Sequence, residues 1–383
     1  MKGLRKEGLD RREFLKRAGV AAAGLGLMAC APAAAPTATP TKAPAAATPA
    51  SAATAAPKTS GASLPAGGPD WTAKLYEAAK KEGELMVYNV QTTNDWEQTS
   101  AAFAKKFPGV KVNGWTGSSE PIREKLLAET KAGKPICDVV HTAFADIFIY
   151  KQEGMLDKYL SPELKSFDPQ YYDPEGLWTV DVYYPYVIEY NTKAIPKEQA
   201  PKSNEDLLKP EFKGKLGLEA NAVPWFTSML RIMGRDKGID YAKKLAEQKP
   251  RLIAGHSGLQ KLVESGEIPI VVYEYSMFLV PAKAKGSPVE WVMPTQKVPA
   301  SFLWLGLPKN GPHPNAARLL IDYLLSEEGQ MLYAQQTYIP RRKGLNLGEL
   351  AAFANLDLLV PDANWGQEVL SNDKLFREIF GKP

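Results

Sequence analysis

The chain is poor in the residues on which disulfide, zinc and much hydrolytic chemistry depend. Of its 383 residues two are cysteine, Cys30 and Cys137, too few for a disulfide scaffold or a cysteine-rich zinc module. Three are histidine, His141, His256 and His313, and no two lie within five positions of each other, so a zinc site of the His-Glu-x-x-His kind is excluded. Neither a Gly-x-Ser-x-Gly elbow nor a phosphate-binding P-loop occurs, which removes the usual marks of a serine hydrolase and of a nucleotide hydrolase. A concentrated basic face is missing too. The formal charge is +4, and residues 1–30, with seven Lys and Arg against three acids, carry all of it. The balanced remainder offers no electrostatic footprint for nucleic acid. What is there is ordinary globular composition, 44% hydrophobic and 23% charged, with length for two or three domains at about 150 residues each.

The apolar run Ala18 to Ala29 has twelve residues, short of the about 20 needed to span a bilayer and suited to the core of an export signal. Arg11-Arg12-Glu13-Phe14-Leu15-Lys16 precedes it and resembles a twin-arginine signal. Leu27-Met28-Ala29-Cys30 closes it and resembles a bacterial lipobox, which implies diacylation of Cys30 and a mature chain that begins there. Residues 31–68 contain 16 Ala, 7 Pro, 6 Thr, 3 Ser and no acid. Such a segment cannot bury enough surface to offset its ordering entropy and reads as a tether reaching about 35 Å. The expectation is an extracytoplasmic protein anchored to the membrane through lipid, with its folded part in 69–383.

From Trp71 the pattern becomes alternating α/β. Helical periodicity over 71–82, 94–107 and 119–132 alternates with short apolar strands at 85–88, 110–112 and 137–141, an order that predicts a mostly parallel sheet with covering helices. A second set follows: strands at 187–190, 216–218, 268–273 and 302–307, and helices at 223–234, 239–247, 256–265, 276–285, 314–325 and 328–336. Two such sets, each with its own sheet, imply two lobes with a cleft between them, and clefts at strand ends are where α/β proteins hold small ligands.

Seven stretches in this order resemble the type II periplasmic-binding-protein family, which delivers solutes to ABC importers. They are Tyr76 to Gly83, Phe103 to Val112, Cys137-Asp138-Val139-Val140, Tyr190-Asn191-Thr192, Ser265-Gly266-Glu267-Ile268, Pro308-Lys309-Asn310 and Ser326 to Gln330. The resemblance spans residues 70–345. It implies an α/β fold of two lobes joined by hinge strands around a ligand cleft, lobe 1 from about 69–182 and 301–345, lobe 2 from about 187–298 and the C-terminal segment. The stretches 183–192 and 299–306 would be the crossings.

The nearest branch binds ferric iron through a His after the first strand, a Glu after the third and two adjacent tyrosines. The corresponding positions here are Thr92, Ala143, Ser276 and Met277, none of which offers the phenolate, carboxylate or imidazole that iron needs. Tyr273-Glu274-Tyr275 lies close by, and a shifted register there would restore oxygen ligands, so iron stays open as an alternative. The expected site is otherwise aromatic and neutral polar: Gln91, Thr92 and Thr93 after the first strand; Ser118 and Ser119 at a helix start; Tyr184 and Tyr186 at the crossing, beside Tyr183; Asn221 and Trp225 in the second lobe; Tyr273, Glu274, Tyr275 and Ser276 at a strand end. Aromatic rings suit an organic solute or a cation, and a helix N-terminus suits an anion. The leading expectation is a solute-binding protein with no reaction and no cofactor of its own, partnered by a small-molecule solute, an ABC permease and, through Cys30, the membrane. A ligand-presenting sensor and a secreted hydrolase are the other readings.

Overall fold

The computed structural model describes residues 64–143, 146–294 and 297–381. The export signal, Cys30 and the tether up to residue 63 lie outside the described residues. Leu64, assigned to the tether by composition, packs against a hydrophobic core, so ordered packing begins by residue 64.

Helix α1 (Pro69–Glu82) leads into β1 (Glu84–Asn89), α2 (Thr93–Lys106), β2 (Lys111–Thr116), α3 (Ser119–Ala132) and β3 (Val139–Thr142). Thr92 starts α2 because its hydroxyl accepts the Asp95 N–H at 3.2 Å, satisfying one of the helix's orphan donors. β1 runs parallel to β2, with Glu84 opposite Lys111, and to β3, with Val87 opposite Val139. Trp96 of α2 lies directly on Gly114 of β2, where a Cβ would come 1.9 Å from the indole Nε1. Only glycine admits that contact.

The chain continues through α4 (Asp146–Gln152) and β4 (Leu156–Asp157) to β5 (Thr179–Asn191) and β6 (Leu216–Glu219). Next come α5 (Val223–Met233), α6 (Arg235–Glu247), β7 (Arg251–Ile253), α7 (His256–Ser265), β8 (Ile270–Tyr275) and α8 (Ser276–Ala284). It closes with β9 (Val289–Val292), β10 (Lys297–Pro308), α9 (Pro314–Leu325), α10 (Glu327–Gln335), β11 (Ile339–Pro340), α11 (Ala351–Ala354), β12 (Asp357–Leu359) and α12 (Trp365–Phe380).

The strands form one continuous sheet in the order β2-β1-β3-β10-β5-β8-β6-β7, with β9 and β11 also on β5 and β4 and β12 on β10. The expectation of a separate sheet for each set is therefore corrected, because β5 is long enough to serve both halves. It pairs antiparallel with β10 over Thr179 to Pro185, and with β8 over Tyr186 to Tyr190. Periodicity marks only 187–190 as strand since every residue of β5 is buried. A strand buried on both faces shows no alternation, and Asp181 and Glu189 break the apolar run.

Helices α1, α2, α9 and α10 cover one half with a core including Phe103, Val182, Leu320 and Tyr333. Helices α5, α6 and α12 cover the other, with Leu218, Phe226, Leu245 and Phe376. A further core joins Val140 and Trp304 of the first half with Leu259 and Val271 of the second. Helix α12 has no counterpart in the sequence expectations. It docks by Phe376 against Phe226 at 5.9 Å between ring centroids, and by Arg231 of α5, which donates to Glu368 at 2.7 Å. No helix among the described residues is long and apolar enough to cross a membrane.

Candidate functional site

In each half parallel strands end in a segment that opens a helix, and Gln91, Thr92, Thr93, Ser118, Ser119, Asn221 and Ser276 lie in these segments, whereas Tyr184 and Tyr186 lie within β5 and Trp225 within α5. Gln91, two residues past β1, is 2% exposed, and neither atom of its amide is hydrogen-bonded among the described residues. Thr92 and Thr93 are exposed at the start of α2. Ser118 is the N-cap of α3 but makes no side-chain capping bond, while the Ser119 hydroxyl is buried without a partner. In the second half Ser276 begins α8 with its hydroxyl sealed and unpartnered. Asn221 is exposed, and its N–H donates to Glu219 Oε2 at 2.6 Å. Glu219 Oε1 accepts the Gly255 N–H at 3.1 Å, which ties the end of β6 to the start of α7. Gly255, at φ +82, supplies the left-handed turn that swings the chain into α7, a conformation costly for other residues.

The aromatic residues of the expected site do come together. Tyr184 meets Tyr275 at 4.8 Å, and Tyr275 stacks on Tyr186 at 5.2 Å and 26°. Tyr186 meets Tyr273 at 5.1 Å, and Tyr273 lies flat on Trp225 at 5.4 Å and 3°. The last pair faces inward. Trp225 is 2% and Tyr273 3% exposed, and both pack into the second core, so the two rings shield each other. Tyr275 is half-buried and contacts both the first and second cores. Met277 packs on the first core as well, and its carbonyl lies 3.1 Å from the Thr337 hydroxyl, whose one proton it shares with the Gln336 carbonyl at 2.6 Å. The two halves thus touch along Tyr184, Tyr275, Met277 and Thr337.

Four participants escaped sequence reasoning. The His256 ring stacks on Tyr275 at 3.7 Å and edges onto Tyr273 at 5.1 Å. Its Nδ1 lies 2.6 Å from Glu274 Oε1, so the imidazole is fixed in orientation by a buried carboxylate. Burial pushes the Glu274 carboxyl up from its ordinary range, and His256 opposes that shift. Tyr338 sits 6.1 Å from Tyr184, and its hydroxyl donates to Asp95 of α2 at 3.1 Å. Thr337 holds φ +67, an uncommon conformation for a β-branched residue. The only local signal for His256 was its place after a glycine at a predicted helix start. Tyr338, Thr337 and Asp95 carried none, because their roles arise from contacts made across the sheet.

His141 Nε2 lies 3.1 Å from a carboxylate oxygen of Asp181, and both side chains are fully buried, which gives His141 a structural partner. Burial raises the phenols of Tyr273 and Tyr275 well above their ordinary value, and the neighbouring Glu219 and Tyr186 push the same way. These two phenols stay protonated at neutral pH and act as neutral surfaces. Around Tyr275 the junction brings together the rings of Tyr184, Tyr186, Tyr273 and His256, the Thr337 hydroxyl and the His256–Glu274 pair.

The bacterial extracellular solute-binding protein family matches residues 134–357. The Fe(3+)-binding periplasmic protein of Serratia marcescens is 24% identical over 266 residues, covering 66% of this chain and 77% of that one. The spermidine/putrescine-binding periplasmic protein of Escherichia coli is 25% identical over 316 residues, covering 72% and 85%. Among solved structures, the apo ferric ion-binding protein A of Pasteurella haemolytica superposes with a TM-score of 0.69 at 19% identity, over 79% of this chain and 99% of that one. A family match over more than half the chain, on a sheet whose long strands cross between two lobes, has one meaning: the chain belongs to the bacterial extracellular solute-binding proteins and has their two-lobed type II periplasmic fold.

Proposed function

We propose that the protein captures a small organic solute between its lobes and presents it to the permease of an ABC importer, while an acylated Cys30 holds it to the outer side of the membrane. The observation that carries this reading is the aromatic junction. Tyr184 comes from the crossing strand and Tyr275 from the second lobe, and they meet at 4.8 Å with His256 stacked beside them. A solute seated there touches both lobes and so favours the closed form over the open one. The positions at which the iron-binding branch places its ligands hold Thr92, Ala143, Ser276 and Met277. The raised phenols of Tyr273 and Tyr275 work against a phenolate–iron bond in the shifted register, and Glu274 is engaged with His256. An organic solute also accords with the relative named for spermidine and putrescine.

The test is a thermal-shift screen of amines, organic acids, sugars and Fe(III), followed by calorimetry on any hit. A solute at 100 times its Kd adds about 2.7 kcal/mol to stability. Tyr184→Ala and Tyr275→Ala are each expected to weaken that solute by about 2 kcal/mol, or about 30-fold in Kd. A coloured, stoichiometric Fe(III) complex that bleaches in Tyr273→Phe or Tyr275→Phe overturns the organic reading. Undiminished affinity in both alanine variants overturns the site.

A further inference from the structure

Tyr183 and Tyr184 are consecutive residues of β5, so their rings leave on opposite faces of the sheet. Tyr184 goes to the lobe junction. Tyr183 goes behind the crossing strands, where it stacks on Phe302 at 5.8 Å and its hydroxyl donates to the Phe353 carbonyl. A cavity of about 380 Å³ opens in the segment that follows β11. Pro340, Arg341, Arg342, Lys343, Ala351 and Asn355 are among the residues that line it.

The charge at this cavity is not balanced. Arg342 donates to Glu163 at 2.6 Å, and Lys343 pairs with Asp168. Between the paired cations and β11 stands Arg341, which has no carboxylate within ion-pair reach among the described residues. Its guanidinium lies 4.2 Å from the ring centroid of Tyr171 and 4.7 Å from that of Tyr183. Both rings lie within cation–π distance of the guanidinium. Nε and Nη1 are buried and bonded to nothing among the described residues, and Nη2 is not among the sealed atoms. A guanidinium cannot shed its proton to escape burial, and a buried charge demands a counter-charge or hydrogen-bond partners.

We infer that this cavity is a second binding site, behind the hinge and separate from the cleft, which takes a small oxyanion on the edge of Arg341. Nη2, the one guanidinium nitrogen that is not sealed, can donate to an oxygen of a carboxylate or a phosphate, and about 380 Å³ accommodates an anion of a few heavy atoms. The adjoining segment runs from β11 to β12, which pairs with the Lys297 to Pro299 end of β10. An anion held here therefore sits against the strands that cross between the lobes. The inference does not rest on the identity of the cleft solute.

Titration of the full chain with inorganic phosphate and with succinate, at ionic strength held constant with sodium chloride, tests it by calorimetry and melting temperature. Saturable binding of at least one of the two is expected in the parent. Arg341→Gln is expected to weaken it by about tenfold or more, the usual effect of losing hydrogen bonds to a charged group. Ala351→Phe leaves the guanidinium and both tyrosines in place, fills the cavity from an exposed position, and is expected to weaken binding as much. The second variant keeps the test sound if the first fails to fold. Absence of saturable binding in the parent overturns the inference. Parent-like binding in the folded variants also overturns it, since the anion is then held elsewhere, the cleft included.

Discussion

Replacing Thr337 separates the stability of the fold from the closure of its lobes. The residue holds φ +67, and the single proton of its hydroxyl is shared between the carbonyl of its neighbour Gln336 at 2.6 Å and, across the junction, the Met277 carbonyl at 3.1 Å. A left-handed conformation costs a residue with a Cβ about 1–2 kcal/mol, a cost that persists only where surrounding contacts enforce it. Thr337→Gly removes that cost, adds back about 0.5–1 kcal/mol of backbone entropy, and deletes a hydrogen bond with a net value of about 0.5–1.5 kcal/mol. Thr337→Ala deletes the same bond and keeps the strained backbone. Both variants are therefore expected to lower the closed-to-open ratio by up to about 13-fold, while the glycine variant is more stable to unfolding than the alanine variant by up to about 1.5 kcal/mol. Energy transfer between dyes on Lys131→Cys in α3 and Lys243→Cys in α6, both exposed positions, reads closure in a Cys30→Ser background. Cys137 does not interfere, being fully buried with its thiol pushed far up by burial. Chemical denaturation reads stability. Unchanged energy transfer in both variants, or a glycine variant less stable than the alanine one, refutes the reasoning.

Two further outcomes are expected. Burial raises the Asp146 carboxyl to about 6 against the opposing pull of Arg123, which donates to it at 2.8 Å. A carboxyl raised on folding contributes stability that is full below its unfolded value of 3.8 and lost as pH rises through about 6, a loss of about 3 kcal/mol. Asp146→Asn cannot ionise, so its stability relative to the parent should climb by that order between pH 4 and pH 7 in paired melts, and a constant difference refutes the assignment. Mass spectrometry of membrane-extracted protein should find an acylated N-terminal Cys30, and a mature chain beginning elsewhere rejects the lipobox.

Where secondary structure follows from local chemistry, the sequence already shows it. Helix α2 is bounded by the Thr92 cap and by Pro108-Gly109, and β1 and β3 are short apolar runs between helices, so the first βαβαβ unit is read correctly from residues 85–141. Elements defined by distant partners are not legible in this way. β7 has three residues, one of them exposed, and exists because Gly217 to Glu219 of β6 lie beside it. The amphipathic helix α12 follows a stretch with no family motif, and it is held by Arg231 and Phe226 more than a hundred residues earlier in the chain.

The site divides along the same line, and the division has a cause in the way strands are built. Tyr184 and Tyr186 lie two residues apart, as do Tyr273 and Tyr275, so each pair shares one face of its strand. The antiparallel register that sets Tyr186 opposite Tyr275 then forces the rings together, and any reading that pairs β5 with β8 obtains the aromatic cluster. His256 is different. It reaches Tyr275 because Glu219 fixes the turn at Gly255 and Glu274 fixes the imidazole. Both carboxylates belong to strands whose side-chain partners are set by tertiary packing alone. Removing the Glu274 carboxylate should therefore release His256 from Tyr275 while leaving the β5–β8 ladder intact. Glu274→Gln keeps a hydrogen-bond partner for Nδ1 and should largely preserve the stack, whereas Glu274→Ala should not. The imidazole proton resonances report this directly, since a ring held 3.7 Å over Tyr275 is shifted upfield by the ring current. Loss of that shift in both variants, or in neither, shows that the carboxylate does not position the histidine.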